Sequence, residues 1–108
     1  FLQLSPGQWD VVLSADTLCY FGDLQAFMHA TARALRPQGW LVFTVEALAD
    51  EVDQPFRLQP HGRYAHARAH VRATLDTAGL AVVDIDAVVL RQEGGKPVHG
   101  WLVAARRA

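Results

Sequence analysis

The sequence predicts an α/β fold in the order β-α-β-α-β-β, with a mostly parallel sheet, an antiparallel carboxyl-terminal hairpin and both helices on one face. Three observations carry this. Two short apolar runs, WDVVLS at 9–14 and WLVFTVE at 40–46, lack polar alternation, the mark of strands covered on both faces. Between them Leu24, Phe27, Met28, Thr31, Ala32 and Leu35 recur at the i, i+3, i+4, i+7, i+8 and i+11 spacing, which draws one apolar stripe along a helix. Two later apolar runs are joined by RQEGGKP, a short glycine-containing link suited to an antiparallel hairpin.

Each element has its own local reason. The first strand, 9–14, runs into a loop bearing Asp16. Gly22 and Asp23 open the first helix, with Asp23 suited to the N-cap. Arg33 and Arg36 fall in its last turns, where cations favour the helix dipole, and Pro37 and Gly39 end it. The second strand is 40–46. From 47 to 63 no period survives, and Pro55, Pro60 and Gly62 punctuate the stretch. A loop of that length in a compact domain usually carries function. A second helix over about 65–78 turns Val71, Leu75 and Ala78 inward and stops at Gly79. A third strand, 80–90, projects Asp84 and Asp86 to one face, and the last strand is 98–105. Right-handed crossovers step from the first to the second to the third strand in one direction. Both helices then lie on the same face. The other face, with Val11 and Leu13 or their neighbours, and the edge of the first strand are left apolar and uncovered.

Composition narrows the class. With 108 residues the chain makes one small domain, spanning 1–108. It is 51% hydrophobic and 19% charged, a balance that favours buried strands over disorder. Net charge is −1, with basic residues spread out apart from Arg106 and Arg107, so no electrostatic footprint for nucleic acid or an anionic membrane exists. A single cysteine, Cys19, precludes an internal disulfide and suits a reducing, cytoplasmic setting. No apolar run approaches the ~20 residues of a membrane span, and no signal-peptide pattern is present. The chain opens FLQL without an initiator Met, as expected for a piece of a longer protein.

Four segments resemble a known family. WDVVLSADTLCYFGDL is similar to the strand-four motif of class I S-adenosylmethionine-dependent methyltransferases. LRPQGWLVFTVE resembles their Leu-(Arg/Lys)-Pro-Gly-Gly segment leading into strand five, with Gln38 where glycine is usual. HGRYAH (61–66) and LRQEGGKPVHG (90–100) resemble later motifs of predicted methyltransferases that carry tetratricopeptide repeats upstream. In order, these cover essentially the whole chain. The resemblance implies a partial Rossmann-like methyltransferase fold: strands four to seven, the carboxyl-terminal half of the domain. The half with the glycine-rich cofactor loop is absent from these residues. It implies S-adenosylmethionine as cofactor of the complete domain, with Ser14, Ala15, Asp16 and Leu18 lining the cofactor pocket. It also implies a small-molecule acceptor, and no activity for this piece in isolation.

Ligands of open α/β sheets bind outside the carboxyl ends of the strands. Methyl transfer is an in-line displacement that needs proximity, a desolvated pocket and sometimes a base. Asp16 and Glu46, each at such an end, are the candidate catalytic carboxylates; otherwise Asp16 caps a turn and Glu46 pairs with Arg63. Tyr20 and Phe21 wall a substrate pocket or pack under the helix. His61, Arg63, Tyr64 and His66, concentrated in six residues, suggest substrate recognition, Arg63 being suited to a carboxylate or phosphate; the alternative is a solvated helix entry. His66 and His70 lack a third ligand at a readable spacing, so no metal site is expected. Asp84 and Asp86 read as solvent-facing. Arg91 and Glu93 either reach the substrate edge or pair with one another, and Cys19 reads as an inert thiol. The competing reading is a non-catalytic α/β interaction module that dimerises through its uncovered face or edge strand. A homodimer, or association with the absent half, is the expected assembly. A nucleotide-binding Rossmann fragment is disfavoured by HGRYAH and LRQEGGKPVHG.

Overall fold

In the computed structural model residues 9–14, 18, 21–48, 53–60 and 62–108 are described. Their elements are β1 (Trp9–Ser14), α1 (Gln25–Ala34), β2 (Leu35–Ala47), β3 (Phe56–Leu58), β4 (Tyr64–His66), α2 (Arg68–Thr77), β5 (Leu80–Glu93) and β6 (Lys96–Arg107).

β2 is the axis of a six-stranded sheet. One of its edges pairs in parallel first with β1, from Val11↔Trp40 to Ser14↔Phe43, and then with β4 at Glu46↔Ala65 and Ala47↔His66. Its other edge takes β6 antiparallel, from Trp40↔Arg106 to Glu46↔Gly100. β5 lies outside β6, and β3 outside β4, both antiparallel. The sheet is therefore mixed, not mostly parallel as the sequence suggested. β1, β2 and β5 do run in one direction, but the hairpin folds β6 back into the gap between β2 and β5. The turn is Gly94–Gly95, at φ of 56° and 77°, the left-handed pair that a two-residue type I′ hairpin demands.

Element boundaries also moved. α1 stops at Ala34 because Leu35 is already extended (φ −79°, ψ 142°) and pairs with Trp9. Pro37 and Gln38 lie in the irregular first part of β2, where the pairing with β1 shifts register, Gln38 at φ 70°. Asp23 sits one residue before the N-cap Leu24, and its Oδ1 accepts the Gln25 amide at 2.9 Å. α2 begins at Arg68 rather than 65, because Tyr64–His66 is drawn into the sheet as β4. The stretch without period holds the short strand β3.

Both helices cover one face, packing on each other, α1 on β2 and α2 on β5. Alternate β2 residues Leu41, Phe43 and Val45 turn under them and join Val12, Ile85, Val103 and Ala105. The helices supply Phe27, Met28, Val71 and Leu75. Burial of each large side chain contributes roughly 1.5–3 kcal/mol, and Phe27 meets Phe43 edge-on at 6.5 Å. On the opposite face Val11 and Leu13 are 49% and 70% exposed, and the Arg106 guanidinium lies 5.0 Å from the Trp40 ring centroid. Among the described residues, no helix is long and apolar enough to cross a membrane.

Candidate functional site

The carboxyl ends of β1, β2 and β4 gather at one edge of the sheet. β2 delivers Glu46 there on the face opposite Val45, in unbroken register with Gly100 of β6, and both residues are buried. A buried carboxylate needs partners, and two guanidiniums reach Glu46. Its Oε2 accepts from Arg63 Nε at 2.6 Å and from Arg91 Nη2 at 3.0 Å. The same guanidiniums converge on Glu93: Oε1 accepts from Arg63 Nη2 at 2.7 Å and Arg91 Nε at 2.9 Å, and Oε2 from Arg63 Nη2 at 3.0 Å. The four groups form a closed square joining the end of β2, the approach to β4 and the β5–β6 hairpin. Hydrogen bonding to Glu46, opposed by desolvation and aided by Glu93, holds the Arg63 charge beyond its usual range. Arg91, then Arg63, holds the Glu93 carboxyl below its usual range.

Beside the square, β4 turns His66 inward. Its Nε2 lies 2.7 Å from the Phe21 carbonyl and 3.0 Å from that of Gly22. Carbonyls only accept, so Nε2 carries the proton. Nδ1 is buried with no partner among the described residues. Burial pushes the His66 pKa down, against its backbone hydrogen bonds and Glu46. Phe56, opposite His66 in the β3–β4 pair, completes a ring cluster with Tyr64 at 5.9 Å, His66 at 6.4 Å and His70 at 5.4 Å. The chain after β1 crosses this cluster so closely that a Cβ on Gly22 would fall 2.6 Å from Phe56 Cε1. The His66 carbonyl accepts from Leu48 N–H at 2.9 Å and Trp101 Nε1 at 3.0 Å. An open cleft of about 680 Å³ lies alongside, lined by Gln54, Pro55, Arg68 and His70 among others.

Of the residues expected from sequence, Glu46, Arg63, Tyr64 and His66 come together here, and Phe21, 46% exposed, borders them. His66 is wholly buried and Tyr64 half-buried, so His66 supports the edge from within. Ala15, Asp16, Tyr20 and His61 lie outside the described residues, as does Cys19. Leu18 is fully buried in the core. Ser14, at the end of β1, is 7% exposed, and its Oγ lacks a partner among the described residues. A buried hydroxyl without a partner is costly, and at a strand's carboxyl end it fits a ligand that supplies the missing hydrogen bond. Asp84 and Asp86 are exposed on β5, which is separated from β2 by β6. Among the described residues no three His, Cys, Asp or Glu side chains group as metal ligands. Sequence reasoning missed Phe56, Trp101 and the reach of Arg91 to Glu46. The His66/His70 spacing was the one signal of the ring cluster.

A family profile described as a methyltransferase domain matches residues 3–84. The chain belongs to this methyltransferase-domain family. No curated protein matches this chain in sequence. Among solved structures, it is similar to an S-adenosylmethionine-dependent methyltransferase from Methanosarcina mazei, with 13% identity and a TM-score of 0.77. That match covers 99% of this chain and 63% of the other. The 1,6-didemethyltoxoflavin-N1-methyltransferase of Burkholderia thailandensis shares 20% identity at a TM-score of 0.74, over 99% of this chain and 48% of that one. The [4+2]-cyclase SpnF shares 14% identity at a TM-score of 0.75, over 99% and 52%. This chain thus spans roughly half to two thirds of the structures it matches.

Proposed function

We propose that these residues are the carboxyl-terminal half, strands four to seven, of an S-adenosylmethionine-dependent methyltransferase that acts on a small molecule, of the kind bearing tetratricopeptide repeats upstream. By this reading the 108 residues do not turn over alone. The observation that supports it most is the convergence of the carboxyl ends of β1, β2 and β4 on one polar edge, where α/β sheets bind ligands. The cofactor, when bound, supplies an electrophilic methyl group on a sulfonium. Ser14, Ala15 and Asp16 would line it, with Leu18 behind them. Phe21 and Tyr64, with Tyr20 and His61, would border the acceptor. Asp16 is the carboxylate proposed to take the acceptor's proton. Glu46, gripped by two guanidiniums, positions Arg63 and Arg91.

Calorimetric titration with S-adenosylhomocysteine tests this reading. The chain alone should give no heat, and a polypeptide in which a glycine-rich strand–loop–helix half precedes it should bind with one-to-one stoichiometry. No binding by the longer polypeptide would end the proposal.

One observation favours a second reading, the interaction module: Val11, Leu13 and Leu102 are exposed on the sheet face without helices. Under it the chain associates through that face and binds no cofactor in any length.

A further inference from the structure

The square at the sheet edge is asymmetric. Glu46 is its inner corner, with a side chain 7% exposed; Glu93 is its outer corner, 42% exposed. Arg63 and Arg91, 19% and 30% exposed, span between them. Each guanidinium therefore spends one N–H on a carboxylate locked into the sheet and another on a carboxylate at the surface. The two corners differ in how they can leave. Removing Glu46 would strand two cations against a buried strand end. Glu93 is the last residue of β5 and is followed at once by the Gly94–Gly95 turn. Its side chain can swing to solvent without moving the sheet, at the cost of its hydrogen bonds to the two guanidiniums.

We propose that Arg63 and Arg91 form a subsite for an acidic group on the substrate, a carboxylate or a phosphate ester, and that Glu93 is an internal stand-in which that group displaces. The Glu93 carboxylate marks the ligand's geometry: one oxygen shared by Arg63 Nη2 and Arg91 Nε at 2.7 and 2.9 Å, the second on Arg63 Nη2 at 3.0 Å. Two guanidiniums oriented in this way match a planar or tetrahedral oxyanion. With Glu93 turned to solvent, the Arg91 Nε–H and the Arg63 Nη2 group that it engages face an incoming anion. Exchange of one carboxylate for another conserves the hydrogen bonds, so the substrate need only supply enough further contact to outcompete a tethered side chain. The subsite lies at the strand edge where the acceptor is placed by the methyltransferase reading, and its assignment to substrate rests on that reading.

The test needs no cofactor. Benzoate and inorganic phosphate are titrated separately, at constant ionic strength, into the wild-type chain and Glu93→Gln, following the Arg63 and Arg91 Nε–H resonances by NMR. Glu93→Gln should bind at least one of the two anions about tenfold more tightly than wild type. Addition of Arg91→Gln to that variant should abolish the gain. Saturation by benzoate alone assigns a carboxylate substrate, by phosphate alone a phosphate ester, and either supports the subsite. Equal affinity in wild type and Glu93→Gln, or no saturable shift in a folded Glu93→Gln, overturns it and leaves the square a structural clamp. Glu93→Ala is the second variant, should the glutamine distort the hairpin. Anion binding together with no S-adenosylhomocysteine binding by the longer polypeptide would keep the subsite and discard the proposed cofactor-dependent function.

Discussion

His66 and His70 stack face to face across the entry to α2, their ring centroids 6.0 Å and their planes 11° apart. Both pKa values are pushed down, first by burial; Glu46 and the Phe21 and Gly22 carbonyls pull that of His66 up, and Asp23 that of His70. Two stacked rings also disfavour charge on each other.

The folded state therefore binds protons to these rings less readily than the unfolded chain, where histidine titrates near ~6.5. Stability is complete above that pH and is lost as pH falls from about 6.5 through the lower folded values. Urea midpoints measured from about pH 7.5 to 5 should decline, and His66→Asn should flatten the decline. An unchanged slope in that variant would contradict the assignment.

Glu46→Gln should destabilise the fold by about 1–3 kcal/mol in urea, because the Arg63–Arg91 pair then faces a neutral group at the buried corner. Glu93→Gln, at the exposed corner, should cost clearly less than Glu46→Gln. Similar losses in both variants would show that the square is not divided into a buried anchor and a surface corner.

Gly100→Ala should cost about 1–3 kcal/mol through overpacking. The new methyl would lie 2.6 Å from the Val45 carbonyl oxygen and 2.5 Å from Leu90 Cδ1. The leucine can rotate away, but the carbonyl belongs to the neighbouring strand and is held by the β2–β6 ladder. Thermal denaturation decides this, with wild-type melting as the contrary outcome.

The uncovered face should drive association. Leu13 is 70% exposed on β1, and its neighbours across the sheet include Val42. The isolated chain should self-associate in light scattering, and Leu13→Glu should shift it toward monomer. A monodisperse monomer for wild type at high concentration would count against both a homodimer and an uncovered docking face.

The parts legible in the sequence were those with local causes. Uninterrupted apolar runs marked β1 and β2, the Leu24–Leu35 stripe marked α1, and the paired glycines marked the β5–β6 hairpin. The β6 position was not legible, since pairing of Trp40 with Arg106 is a long-range outcome that neither segment encodes alone. β3 and β4 escaped because three residues are too few to show a period. At the site, Arg63 was found through the density of polar groups around it. Arg91 meets Glu46 only because β6 returns the hairpin to the end of β2, and Phe56 lay in a stretch with no pattern to single it out.

The placement of β6 between β2 and β5 also sets an order of events during synthesis. β6 follows β5 in the chain yet lies between β2 and β5, so β5 lacks its described sheet partner until Val98 to Arg106 have left the ribosome. The β2–β6 ladder closes a loop of about half the chain, from Glu46 to Gly100, before it yields any hydrogen bond, which slows folding. Until then β2 offers one open edge to any other nascent strand, and mispairing there would precede every native contact of the hairpin.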